Sequence, residues 1–376
     1  MNHPSRLSLR TALAVFLMTA VAAPTLFAQA STRVSPVAPS RERVQALVNE
    51  AYQKFKSNTD GKNADYIPEL GKVDSKLYGV VGVTTDGQMI TAGDVDVPFS
   101  IQSISKVYTL ALAMDELGAD AVFQKIGSEP TGRPFNSLPA VIDLPTHSGN
   151  PFVNAGAIAT TSLISGPDKE AKFNKILDFY GRAAGEKLTV LEDIYHSEAA
   201  TNQGNQAIGY VLRKYDRIYS DPLEAVDVYT RQCSVGVTAK QLAWMGATLA
   251  NAGMNPKTGE QVIKKENVPE ILATMTMAGL YDGSGSWAWH VGLPAKSGVG
   301  GAVLAIVPGK GAIVGFAPPL DAAGNSVKAQ LAISYIADNL GLNVFSPRSV
   351  GLPEGAATAT SAQTQAKPKS KSKPKK

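Results

Sequence analysis

The chain has 376 residues, 36 Lys and Arg against 32 Asp and Glu, a formal charge of +4, and 44% hydrophobic residues, the balance of a globular protein. Six of the positive charges (Lys367, Lys369, Lys371, Lys373, Lys375, Lys376) fall in a terminal stretch from Ala356 that lacks large apolar residues, and Arg6 and Arg10 fall at the other end. The body between them therefore carries about −4, which argues against a nucleic-acid-binding surface, and the single cysteine, Cys233, excludes an intrachain disulfide.

In chain order, Arg6 and Arg10 precede an apolar run from Thr11 to Phe27 that ends at Ala28-Gln29-Ala30. This is the layout of a secretory signal peptide over residues 1–30 cleaved after Ala30; the run falls short of the about 20 residues of a membrane span. Export, with the periplasm as the expected compartment and no membrane association after cleavage, follows from this segment alone. Residues 356–376 are expected to be a disordered Lys-rich tail.

The body, 31–355, is long enough for one large domain or two intimate subdomains. Val44, Leu47, Val48, Ala51, Tyr52 and Phe55 recur at helical spacing and predict an opening helix over 41–57. The β-rich run Leu77–Val83, the turn Thr85-Asp86-Gly87 and the run Gln88–Ala92 predict a hairpin. Residues 103–285 read as mostly helical with Gly and Pro breaks. Three further β-like runs are expected at Trp287–Leu293, Val299–Val307 and Gly311–Pro318, then a closing helix over 327–340. The order helix, strands, helical insertion, strands, helix predicts an α+β architecture: an antiparallel sheet subdomain from about 40–102 and 286–345, flanked by the terminal helices, with a helical subdomain from about 103–285 inserted in it.

Chemistry concentrates at Gln102-Ser103-Ile104-Ser105-Lys106, just before a helical run. Residues three apart share a helix face, so Lys106 can fold back toward the Ser103 hydroxyl. A lysine at its free pKa of about 10.4 is a poor base at neutral pH. A dry pocket at a helix N-terminus lowers that pKa and polarises a developing oxyanion, so the pair asks for such a pocket. Serine, two residues, lysine is common by chance, but here Lys296-Ser297-Gly298 stands near the C-terminal strands. The β-lactamase and penicillin-binding fold pairs a Lys-Thr/Ser-Gly strand edge with its serine helix. His147, His196 and His290 are too widely spaced for a metal pattern, no phosphate-cradling loop is present, and Cys233 reads as a small packed side chain.

The Ser-Asp-Asn element of β-lactamases is missing. In its place, Gly149-Asn150-Pro151-Phe152-Val153-Asn154-Ala155-Gly156-Ala157-Ile158, then Tyr229-Thr230-Arg231-Gln232-Cys233-Ser234, then Lys296-Ser297-Gly298-Val299-Gly300-Gly301 follow the Ser103 segment. In this order the motifs resemble the serine-dependent glutaminase family over about residues 40–345. The resemblance implies a β-lactamase-like fold, hydrolysis of L-glutamine to L-glutamate and ammonia, no cofactor, and self-association as a dimer or tetramer. It also implies a glutamine site at Tyr66, Ser103, Asn154, Glu198, Asn205, Tyr229, Tyr281 and Val299. Glu198 suits the α-ammonium, Asn154 and Asn205 the α-carboxylate, and Tyr66 and Tyr281 sit in stretches able to cover the site. Ser103 would attack the side-chain carbonyl, the N–H groups of Ser103 and Val299 would hold the oxyanion, and Lys106 would take the serine proton through Tyr229 or, second, Tyr281. The alternatives are a penicillin-binding or β-lactamase-like hydrolase of cell-wall amides or lactams, and a non-catalytic amino-acid-binding protein of the same fold.

Overall fold

Strand alternation sets the architecture. In the computed structural model, which describes residues 39–346, the strands are β1 (Gly79–Thr84), β2 (Met89–Gly93), β3 (Phe99–Ser100), β4 (Thr189–Val190), β5 (Val235–Val237), β6 (Ala295–Gly298), β7 (Ala302–Val307) and β8 (Gly311–Phe316). Five of them form an antiparallel sheet in the order β2-β1-β8-β7-β6. Successive side chains point to opposite faces, and both faces of this sheet are apolar. Val80, Val303, Ala305 and Ile313 join one buried cluster, and Val81, Leu304, Ile306, Val314 and Phe316 join the other. A sheet apolar on both faces must be covered twice. The helices Arg41–Phe55 and Val327–Leu340 cover the first face, and the helix Ala239–Ala250 covers the second and links the sheet to the helical region.

The predicted hairpin and both terminal helices are present, with Val83 paired to Met89 across the Thr85-Asp86-Gly87 turn. Residues 103–285 are mostly helical, but they are not free of strands: β4 and β5 lie within them, and with β3 they form a small three-stranded sheet in the order β3-β5-β4. Trp287–Leu293 was expected as a strand and is not one. Ser284–His290 is a helix, and the strand begins at Ala295, so Lys296, Ser297 and Gly298 are themselves the sheet edge. Trp287, Trp289 and Val291 alternate along the sequence, yet Trp287 and Val291 are buried while Trp289 is 83% exposed. Positions 287 and 291 also lie four apart, one helical turn, and the Trp287 Nε1–H donates to Leu293 O at 2.8 Å to close the helix. The signal-peptide and Lys-rich-tail segments lie outside the described residues. No described helix is long and apolar enough to cross a membrane.

Candidate active site

The Ser103 segment is held from both sides. β3 pairs with β5, and the Ile101 N–H donates to Val235 O at 2.8 Å, so the chain enters the turn Gln102–Ile104 from a fixed strand. It leaves into the helix Ser105–Leu117, whose residues from Ser105 to Met114 are all buried, and β6 packs against the turn. Gln102 sits at φ +49°, a left-handed conformation unfavourable for a side chain of this kind. Strain of this sort persists only where the surroundings dictate it. Here the Gln102 amide donates to Ser100 Oγ at 3.3 Å and to the Glu198 carboxylate at 3.1 Å.

Lys106 is buried, and burial draws its amine down to about 8, opposed by Cys233 and Glu198. Its hydrogen bonds go to Phe152 O at 3.2 Å and Asn154 Oδ1 at 2.8 Å, not to Ser103 itself. Two acceptors match the two N–H groups of an unprotonated amine and leave its lone pair to take a proton. The Tyr229 hydroxyl donates to the same Asn154 oxygen at 3.2 Å, and the Lys106 amine lies 5.7 Å from the Tyr229 ring centre. Asn154 Nδ2 in turn donates to Asn205 Oδ1 at 3.0 Å.

Asn154 is placed by a tight contact. It begins the helix Asn154–Ser162, with its own N–H on Phe135 O at 2.8 Å, and Asn150 Oδ1 accepts from the N–H groups of Phe152 and Val153. At Gly156 a Cβ would stand 1.9 Å from Asn150 O, so only glycine lets this helix lie on the Ser148–Asn150 loop. Gly156→Ala is expected to destabilise the protein by about 3–5 kcal/mol, the range of severe core disruption, measured by urea unfolding.

Ser103, Asn154, Glu198, Asn205, Tyr229, Val299 and Tyr66 line one cavity of about 160 Å³. Glu198 is buried, and that burial raises its carboxyl to about 7 against the Gln102 hydrogen bond and the Lys106 charge, which lower it. Tyr66 stands 55% exposed at the rim, where a wider vestibule of about 580 Å³ shares Tyr66, Phe135 and Val299 with the cavity. The eighth predicted residue, Tyr281, is not among the residues that line this cavity. Its hydroxyl reaches Ser297 O at 3.4 Å; burial pushes its phenol up, while hydrogen bonds to Ser103 and Ser297 draw it down. Tyr281, like Gln102, is left-handed, at φ +52°.

Several residues of the site had no assigned role in the sequence. Gln102 was part of a motif without a task, and Phe135, Asn136, Thr201 and Asn202 complete the cavity wall from loops and helix ends that no periodicity marks. Lys296 was read only as part of a strand motif. It is a second fully buried amine, donating to Gly279 O at 2.9 Å and Ser297 O at 2.8 Å and lying 4.2 Å from the Tyr281 ring centre, and burial followed by the Lys106 charge holds it well below the ordinary lysine value. No group of His, Cys, Asp and Glu among the described residues is arranged to hold a metal ion.

Comparison with known proteins places the chain among glutaminases. A family model described as Glutaminase matches residues 61–345. Proteins named glutaminase from Colwellia psychrerythraea and Brucella canis are each 52% identical, over 307 and 312 residues, covering 82% of this chain and 99% and 98% of the relatives. The solved structure of a probable glutaminase, ybaS, has a TM-score of 0.81 at 48% identity, covering 82% of this chain and all of that one. A Bacillus glutaminase solved in 4.3 M NaCl has a TM-score of 0.72 at 31% identity, covering 80% and 99%. The antiparallel sheet between terminal helices is the β-lactamase-like architecture of those enzymes. With the match running through every motif that lines the cavity, and over nearly the whole length of its relatives, this chain belongs to the glutaminase family.

Proposed function

We propose that this glutaminase hydrolyses L-glutamine to L-glutamate and ammonia through a γ-glutamyl ester on Ser103, with no cofactor. The observation that carries the reading is that a buried carboxylate, Glu198, and the Ser103 hydroxyl line the same small cavity. A carboxylate there suits an α-ammonium, which glutamine always carries and which opening a lactam ring does not require. With the ammonium at Glu198 and the α-carboxylate at the Asn154 and Asn205 amides, the side-chain amide extends toward Ser103. Ser103 Oγ attacks the amide carbon, and the backbone N–H groups of Ser103 and Val299 receive the oxyanion. The serine proton passes to Lys106 through a phenol. Tyr281, whose hydroxyl sits at Ser297 O on the sheet edge packed against the Ser103 turn, is preferred over Tyr229, whose hydroxyl is engaged by Asn154. The leaving nitrogen takes a proton and departs as ammonia, and water then cleaves the ester.

Mature protein incubated with L-glutamine, L-asparagine and a chromogenic β-lactam is expected to release ammonia from glutamine and to leave the lactam closed. Lactam opening without ammonia would favour the penicillin-binding alternative, and glutamine binding without turnover the non-catalytic one. Turnover of glutamine by Ser103→Ala would keep the activity and reject the ester.

Glu198 gives the reading a pH signature. The ammonium needs the ionised carboxylate, so KM for glutamine is expected to rise about tenfold per pH unit as the pH falls below about 7. Glu198→Gln is expected to raise KM about 10–100-fold and to flatten this slope, measured by initial rates between pH 5.5 and 8.5. In the substrate-free protein the linkage runs the other way. A carboxyl raised in the fold stabilises it below the unfolded value of 4.5, and that stabilisation is lost as the pH rises through about 7.

Export belongs to the same proposal, supported by Arg6, Arg10, the apolar run and Ala28-Gln29-Ala30. Self-association as a dimer or tetramer does too, supported by the family resemblance.

A further inference from the structure

The corner that carries the Tyr281 phenol is held in part by a second turn, residues 321–325, and that turn carries an uncompensated cost. Tyr281 opens the short helical turn Tyr281–Gly283 in a left-handed conformation, which a bulky side chain does not adopt unaided. Ser284 Oγ accepts from the Leu280 N–H at 3.0 Å and donates to Tyr281 O at 2.8 Å. Leu280 O accepts the Gly283 N–H at 2.9 Å within the turn, and Asn325 Nδ2 adds a second donor to the same oxygen, from outside it, at 3.2 Å.

Asn325 is itself fixed. Its N–H donates to Asp321 Oδ1 at 2.9 Å, its carbonyl accepts the Asp321 N–H at 2.8 Å, and the Ala323 N–H shares the same carboxylate at 3.0 Å. Gln330 Nε2 holds the other Asp321 oxygen at 2.9 Å. Between them Gly324, at φ +95°, lies edge-on to two rings: a Cβ there would stand 3.6 Å from Tyr281 and 3.7 Å from Phe135, whose ring centres are 4.5 Å apart. The turn therefore braces the Tyr281 ring and its backbone together.

Asn325 is 1% exposed, yet its Oδ1 has no hydrogen-bond partner among the described residues. A buried polar atom left so costs stability, and leucine, which has the same branched skeleton of four side-chain heavy atoms though more bulk, would not incur it. Packing alone does not account for an asparagine here, whereas a donor to Leu280 O does. We propose that Asn325 is a positioning residue for the reaction: by helping to hold the Leu280 carbonyl it keeps Tyr281 left-handed with its phenol at Ser297 O, on the sheet edge packed against the Ser103 turn. This rests on the reading of Tyr281 as the proton relay.

The test is a double-mutant cycle on the mature enzyme. Asn325→Leu is expected to keep Tm within about 4 °C, since it exchanges one hydrogen bond for apolar packing. It should lower kcat for glutamine about 10–100-fold, with KM changed by less than about twofold, because a displaced relay acts on the chemical step. In a Tyr281→Phe background, where there is no phenol left to position, Asn325→Leu should change kcat by less than about twofold. An equal loss in both backgrounds, or an unchanged kcat in the Asn325→Leu single variant, overturns the proposal. If Tyr281→Phe alone is as fast as the parent, the relay reading fails and the positioning role falls with it. If Tyr281→Phe is slow and Asn325→Leu is not, only the positioning role fails. Asn325→Ala carries the same comparison if the leucine variant does not fold, and loss of the fold in both makes Asn325 structural and overturns it.

Discussion

Ser103→Ala is expected to lower glutamine turnover by about 10⁴-fold or more while leaving binding of glutamine in place, measured by ammonia release and by isothermal titration of the variant. The size follows from the role. When a nucleophile is removed, the groups that activate it have nothing to act on, and only binding and oxyanion stabilisation remain. Binding should survive because, on the proposed reading, Glu198, Asn154 and Asn205 would hold the amino-acid end of the substrate and Ser103 would meet only the amide. The substitution deletes one oxygen from a small cavity wall and leaves the turn Gln102–Ile104 held by β3, β5 and the helix Ser105–Leu117. Brief mixing of parent enzyme with glutamine followed by acid quench should show a covalent mass increment on the Ser103 peptide, absent from the variant. A variant that retains more than about one hundredth of the parent rate would sink the ester mechanism.

Lys106→Met carries the second large effect, a fall in kcat of about 10²–10⁴-fold, the range of a lost general base. Methionine matches the lysine stem in length and remains buried, so the loss reads the amine and not a cavity. The parent kcat should climb with pH and level off near 8, where burial places the Lys106 amine, and the variant should lose this limb. A stability measurement separates chemistry from folding. The fold lowers the Lys106 value from 10.5 to about 8, so the folded state holds this proton less tightly than the unfolded state. Stability from this group therefore grows as the pH rises from about 8 toward 10.5 and is missing below about 8. At pH 7 the Lys106→Met variant should then melt no lower than the parent, while above pH 9 the parent gains on it. A lower Tm at pH 7 together with an unchanged kcat would make Lys106 a structural residue.

The two lysines also show how the cavity makes chemistry available near neutral pH. Lys106 and Lys296 are both buried, each burial lowers the amine, and the Lys106 charge lowers Lys296 further. Two ammonium groups so placed do not readily coexist, so at least one amine stays free to accept a proton. Glu198 is pushed the opposite way by the same dry surroundings, to about 7. Between about pH 7 and 8 a largely ionised Glu198 and a growing neutral fraction of Lys106 coexist, which is where the proposed binding and proton transfer would be jointly served.

Much of this was legible in the chain. The terminal helices and the hairpin follow from local periodicity and turn chemistry, signals carried within about 15 residues. The Ser103 and Lys106 pair, and the ordered motifs at Asn154, Tyr229 and Lys296, point to an acyl-transfer site because those residue types have little other reason to recur in that order. Local pattern misled at Trp287–Leu293, where alternation and a four-residue spacing coincide and only the exposure of Trp289 separates them. It also missed β4 and β5, two- and three-residue strands too short to show a period.

Tertiary structure decided the rest. That Lys106 bonds Phe152 and Asn154 and that Gln102 is left-handed against Glu198 depend on segments 46 to 96 residues apart meeting around one cavity. No window of sequence contains those distances. The pKa values of Lys106 and Glu198 depend on them as well, because desolvation belongs to the closed site and not to the residue. The amino-acid sequence by itself determined which reactive groups this protein owns and the order in which the chain presents them; the packed fold alone decided which of them touch, and in which state of protonation, because both require water to be excluded by residues distant in the chain.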